Sequence, residues 1–147
     1  MTREVFRPTV AIAGVPVHAM LVPFPIACFT GAMLTDIIYS NSPQVQWANF
    51  SEWLLAFGLF MGVLAAIFGL IDFLAAGAAR PRIGWFHLVG NAAILIIAGF
   101  NNFVHSRDGW TGVVPTGLTL SIITVVLMVV TGFIGHFMAY RRVGEIA

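Results

Sequence analysis

The segment Gly84–His105, GWFHLVGNAAILIIAGFNNFVH, is long enough to cross a bilayer as one α-helix, yet it carries His87, Asn91, Asn101, Asn102 and His105. At about 100° per residue, His87, Asn91, Asn102 and His105 fall within about 60° of one another, with Ala98 in the same stripe. Polar groups turned toward hydrocarbon are expensive, so a membrane helix directs such a stripe at protein. The remaining segments must therefore be arranged around that face.

They are suited to it. Of 147 residues, 59% are hydrophobic and 9% charged, against about a quarter charged in a typical soluble domain. A chain this apolar cannot cover itself with a water-facing surface. Four spans of about 20 residues use most of its length and leave no room for a soluble catalytic domain. The expected fold is all-α and membrane-integral, an up-down bundle of four transmembrane helices in one domain, residues 1–147. The spans fall near 15–39, 50–76, 84–105 and 115–140. The single cysteine, Cys28, excludes an intrachain disulfide and a cysteine-based zinc site. A net charge of +1, with seven Arg and no Lys, gives no reason to expect nucleic acid as a partner.

The apolar run from Val10 to Tyr39 is too long for a signal-peptide core and is expected to remain as span one. Pro25 in the PIAC sequence also argues against lipidation at Cys28. Pro16 suits a first helical turn, and Pro23 and Pro25 predict a kink inside the span, just after His18. Ser40–Ser51 reads as a loop, with Asn49 and Glu52 as a capping box opening span two. Gly58 and Gly62 form a GxxxG step that serves either packing within the chain or a homo-oligomer seam. Arg80-Pro81-Arg82 is a basic turn, and Arg107, Asp108 and Trp110 mark the next loop. In span four, Ser121, Thr124 and Thr131 can bond their own backbone carbonyls, and Tyr140, Arg141 and Arg142 anchor its end. Arg3, Arg7, Arg80, Arg82, Arg141 and Arg142 lie on the terminal side and Arg107 alone on the other, which predicts both termini in the cytoplasm.

With alternating spans, His18, Asp72, His87 and His136 share the terminal side, and Asp36, Glu52, Asn101, Asn102 and His105 share the far side. His18 and His87, on parallel helices, suit the two axial positions of a b-type haem, with Asn91 one turn from His87 in support. Alternatively His18, Asp72 and His87 hold a divalent metal such as zinc or iron, completed by His136. A third possibility is that these groups only satisfy one another and the helix ends. On the far side, Asp36 and His105 either pair, as an ion pair or proton relay, or His105 sits in water. Ala92–Phe100 is apolar or Gly throughout, which argues against a continuous proton or ion path. His18–Asp36 and His87–His105 have equal spacing, as a degenerate duplication of two hairpins would give.

VPVHAMLVPFPIACFTGAMLTDI, GLIDFLAAG, FHLVGNAAIL and TGFIGHFMAYRRVG together resemble the bacterial predicted-membrane-protein family catalogued as domain of unknown function 2231. The resemblance runs from about Pro16 to Gly144. It implies a four-helix membrane unit whose functional positions include His18, Asp72, His87 and Asn91. Some relatives are joined to Rieske-type iron–sulfur domains, which implies redox traffic near the membrane. This chain lacks the cysteines for such a domain, and it carries His136 in the last helix where relatives often have a carboxylate or another residue. The leading expectation is a small redox subunit of the bacterial inner membrane, binding haem b or a metal. It would serve a redox partner or larger complex rather than act as a stand-alone enzyme. The alternatives are a non-catalytic accessory subunit and a small transporter or proton-conducting unit.

Overall fold

The computed structural model describes residues 9–77, 82–107 and 112–144, with side chains to residue 138. Arg3, Arg7, Arg80, Pro81, Asp108, Trp110 and the side chains of Tyr140, Arg141 and Arg142 lie outside the described residues. A two-stranded hairpin, β1 (Ala11–Ile12) and β2 (Val15–Pro16), leads into α1 (Val17–Leu21). Then follow α2 (Pro23–Asn41), α3 (Val45–Ala75), α4 (Ile83–His105), a π-turn (Val113–Gly117) and α5 (Leu118–Gly144). Ala13 and Gly14 take positive φ, 50° and 81°, which suits a tight two-residue hairpin turn.

Among the described residues four helices are long and apolar enough to cross a membrane: Val17–Asn41, Val45–Ala75, Ile83–His105 and Val113–Met138. The first contains the expected proline break. Val22 and Pro23 join α1 to α2, and the Val22 N–H still bonds the His18 carbonyl at 3.1 Å. Successive helices pack side by side, α2 on α3, α3 on α4 and α4 on α5, and α5 closes the ring against α2. This is an up-down bundle, so the two ends of the described chain lie on the same side.

The start of α3 differs from expectation. It begins at Val45, and Asn49 lies inside it, so Asn49 and Glu52 form no capping box. Pro43 and the extended Gln44 end the short loop, and nothing in residues 45–49 opposes a helix. At 31 residues, α3 is about 46 Å long and overshoots the hydrocarbon layer of about 30 Å.

The lipid-facing surface is apolar: Phe60, Phe86, Phe100, Phe103 and Phe133 all point outward. The interior is small and partly polar. Phe29, Ala32, Leu55, Ile94 and Ala98 form the buried core, and Asp36, Ser51, Asn101, His105 and Ser121 lie beyond it toward the far end. Close approach explains the glycines of α3. A Cβ on Gly58 would stand 2.7 Å from Cε1 of Phe29, and one on Gly62 would stand 2.7 Å from Cδ2 of Leu95. Both glycines are buried against α2 and α4 of the same chain, so the Gly58/Gly62 step is used for packing within the bundle.

Candidate functional site

Two pairs of side chains meet across the middle of the bundle. Each joins the first span to α4, its diagonal opposite. Toward the terminal end, the rings of His18 and His87 face one another with centroids 6.3 Å apart and planes at 86°. Toward the far end, Nε2 of His105 lies 2.8 Å from Oδ1 of Asp36, with both side chains fully enclosed.

The two imidazoles of the first pair are held alike. His18 Nδ1 is 2.8 Å from the Ala65 carbonyl on α3, and His87 Nδ1 is 3.0 Å from the Thr131 carbonyl on α5. A carbonyl only accepts, so Nδ1 carries the proton in each ring and a neutral ring keeps its lone pair on Nε2. Four residues past each accepting carbonyl stands a glycine. A Cβ at Gly69 would come within 2.7 Å of His18 Nδ1, and one at Gly135 within 2.9 Å of His87 Cε1. Each His therefore lies on a neighbouring helix where a missing side chain admits it. Both rings are half-buried.

The other expected partners of this site go elsewhere. Asn91 Nδ2 bonds the His87 carbonyl at 2.7 Å, turning back on its own helix, so the imidazole is oriented by Thr131 and not by Asn91. Asp72 is half-buried near the end of α3, where its Oδ1 accepts the N–H of Thr9 at 2.7 Å and of Val10 at 3.4 Å. That carboxylate ties down the strand that leads through the hairpin into α1, and so fixes the entry of His18. His136 is exposed. Among the described residues no three His, Cys, Asp or Glu side chains stand close enough to hold a metal, so His18, Asp72, His87 and His136 do not form one ligand set.

The far pair is built more densely. Asp36 Oδ1 accepts from the Ser51 hydroxyl at 2.5 Å as well as facing His105, and Oδ2 accepts from the Ser121 hydroxyl at 2.6 Å. Thr35 Oγ1 lies 2.7 Å from Ser51 Oγ, and Asn101 Nδ2 donates to Ser121 Oγ at 2.8 Å. His105 Nδ1 donates to the Asn101 carbonyl at 2.9 Å. His105 is thus enclosed and paired, not hydrated. Pairing with Asp36 was one of two alternatives open in the sequence, and the two serines were not visible there at all. Ser51 reads as part of a helix start and Ser121 as bonding its own helix, as Thr124 and Thr131 do. Asn101 lies about 40° from His87 on the side of the stripe opposite Asn102, and that offset was the available signal.

The family follows from comparison with known proteins. Over residues 14–146 the sequence matches the family described as predicted membrane protein (DUF2231). The chain belongs to DUF2231. No curated protein and no solved structure matches it. In this DUF2231 protein the matched region includes both cross-bundle pairs and all four spans.

Proposed function

We propose that this DUF2231 protein is a small electron-transfer subunit of the bacterial inner membrane that holds a b-type haem between His18 and His87. One observation carries the reading: two imidazoles on diagonally opposed helices face each other with centroids 6.3 Å apart, each with Nδ1 tied to a backbone carbonyl. His18 and His87 would each offer Nε2 to the iron, since each Nδ1 is committed to a carbonyl. The donor set also fits chemically. Two neutral nitrogen ligands with fixed tautomers suit a b-type haem, and outer hydrogen bonds of this kind orient metal-bound imidazoles. The haem would supply one-electron exchange. The residues of this chain would hold it, keep both rings aligned and surround it with apolar helices.

The distribution of arginines supports placing the His18/His87 end at the cytoplasmic face. A non-haem metal site is less well supported, because Asp72 already accepts backbone N–H groups and His136 is exposed. The test is to purify the chain from its native membrane in mild detergent and record oxidised and dithionite-reduced visible spectra. The expected result is a Soret band with sharpened bands on reduction, lost in His18→Ala and in His87→Ala while both variants still insert. Well-folded wild-type protein with neither haem nor stoichiometric metal would sink the reading in favour of an accessory subunit.

A further inference from the structure

The geometry of the pair at the far end fixes its hydrogen count. His105 Nδ1 donates to the Asn101 carbonyl, so a neutral His105 would turn a bare Nε2 toward Asp36. At 2.8 Å, two bare acceptors would repel. One proton must therefore lie between Nε2 and Oδ1, whether drawn as imidazolium–carboxylate or as imidazole–carboxylic acid. Loaded with that proton the pair is neutral overall. Without it, a negative charge stays in an enclosed site, which is costly.

The surroundings favour exchange of that proton. The other donors to Asp36 are the hydroxyls of Ser51 and Ser121, which rotate and can relay hydrogen, with Thr35 behind Ser51. No guanidinium or ammonium is bonded to the carboxylate among the described residues. The cluster is also short of hydrogens rather than of acceptors, since the fully buried Asn101 has no partner for Oδ1, and Oδ1 of Asn102 has none either. Among the described residues the titratable and charged groups nearest this end are Tyr39 on α2, Glu52 beside Ser51 on α3 and Arg107 just past α4, and Asp108, next in sequence, lies outside them; the stretch Val113–Thr124 contributes no ionisable side chain.

His105 is the last residue of α4, and Ser106 and Arg107 after it are exposed. On the other side, Phe29, Ala32, Leu55, Ile94 and Ala98 close the bundle with apolar side chains. We propose that Asp36, His105, Ser51, Ser121 and Asn101 form a dead-end proton-binding site that loads and unloads through the far face only. It is independent of any cofactor at His18 and His87.

The test uses the full-length chain in lipid nanodiscs with ring-¹⁵N-labelled histidine, followed by NMR from acid to alkaline pH, with His105→Gln identifying the signals. The expected result is a single step in which His105 Nε2 passes from protonated to bare while Nδ1 stays protonated. In Asp36→Asn that step is displaced from its wild-type position. Titration of the wild type alone decides the main point, so a poorly folding variant does not remove the test. An Nε2 that stays protonated throughout would overturn the proposal in favour of a fixed ion pair. A step that moves with sodium at constant ionic strength would overturn it in favour of a cation site. Acid-driven proton flux in vesicles, abolished by Asp36→Asn, would overturn the one-sided access.

Discussion

Asp36 shows what a single side chain costs and controls here. It is wholly buried and accepts from two hydroxyls while sharing a proton with His105. Removing one member of a buried charged pair strands the other, at a cost of about 3–5 kcal/mol. Asp36→Ala is therefore expected to lower unfolding stability by about that amount, measured by circular dichroism against denaturant in detergent. His105→Ala should cost a similar amount, and the double variant clearly less than the sum, because the second change removes the stranded charge. Additive losses would show that the two residues act separately. From sequence, the acid and its imidazole partner were both visible as polar residues in apolar spans, where a partner is demanded. The serines were not, because a hydroxyl in a membrane helix can satisfy itself on the preceding turn, and only the fold decides which choice it makes.

At the scale of the helices, glycine placement sets how closely they approach. Gly58 lies where a Cβ would press on Cε1 of Phe29 and on Cβ of Cys28. Gly58→Leu should force α2 from α3 and cost about 1–3 kcal/mol, whereas Gly132→Leu, with nothing near its Cβ position, should change stability by under about 0.5 kcal/mol. The same denaturant titration compares them, and equal losses would mean that close packing of α2 on α3 is not what Gly58 provides. The spans themselves were legible because length and apolarity define them. The start of α3 was misplaced because polar residues after Pro43 suggest a loop, yet they continue the helix past the hydrocarbon layer. The proline break after His18 was legible from the missing donors at Pro23 and Pro25.

At the scale of the whole molecule, the bundle has two unlike ends, and the orientation we propose is open to direct measurement. Cys28 is the only cysteine of the sequence and is buried, so an introduced cysteine reports with low background. Gln44→Cys, in the exposed loop after α2, should react with a membrane-impermeant maleimide on intact cells. Gly77→Cys, exposed after α3, should react only once the membrane is opened. The reverse pattern would invert the orientation.

The two cross-bundle pairs have a further consequence. His18 faces His87 and Asp36 faces His105, and in each case the partners stand 69 positions apart along the chain. Helical hairpin 1–2 thus meets hairpin 3–4 as a copy would meet a copy about a two-fold axis. In a true homodimer of hairpins, every residue on that axis must face itself, so an acid could only meet an acid and a base a base. Joining both hairpins in one chain lifts that restriction. One axial position can then stay matched, as two imidazoles, while the next holds opposites, a carboxylate against an imidazole. Opposed chemistry at the centre of a two-fold bundle is closed to a homodimer of hairpins and open to a chain that carries both halves.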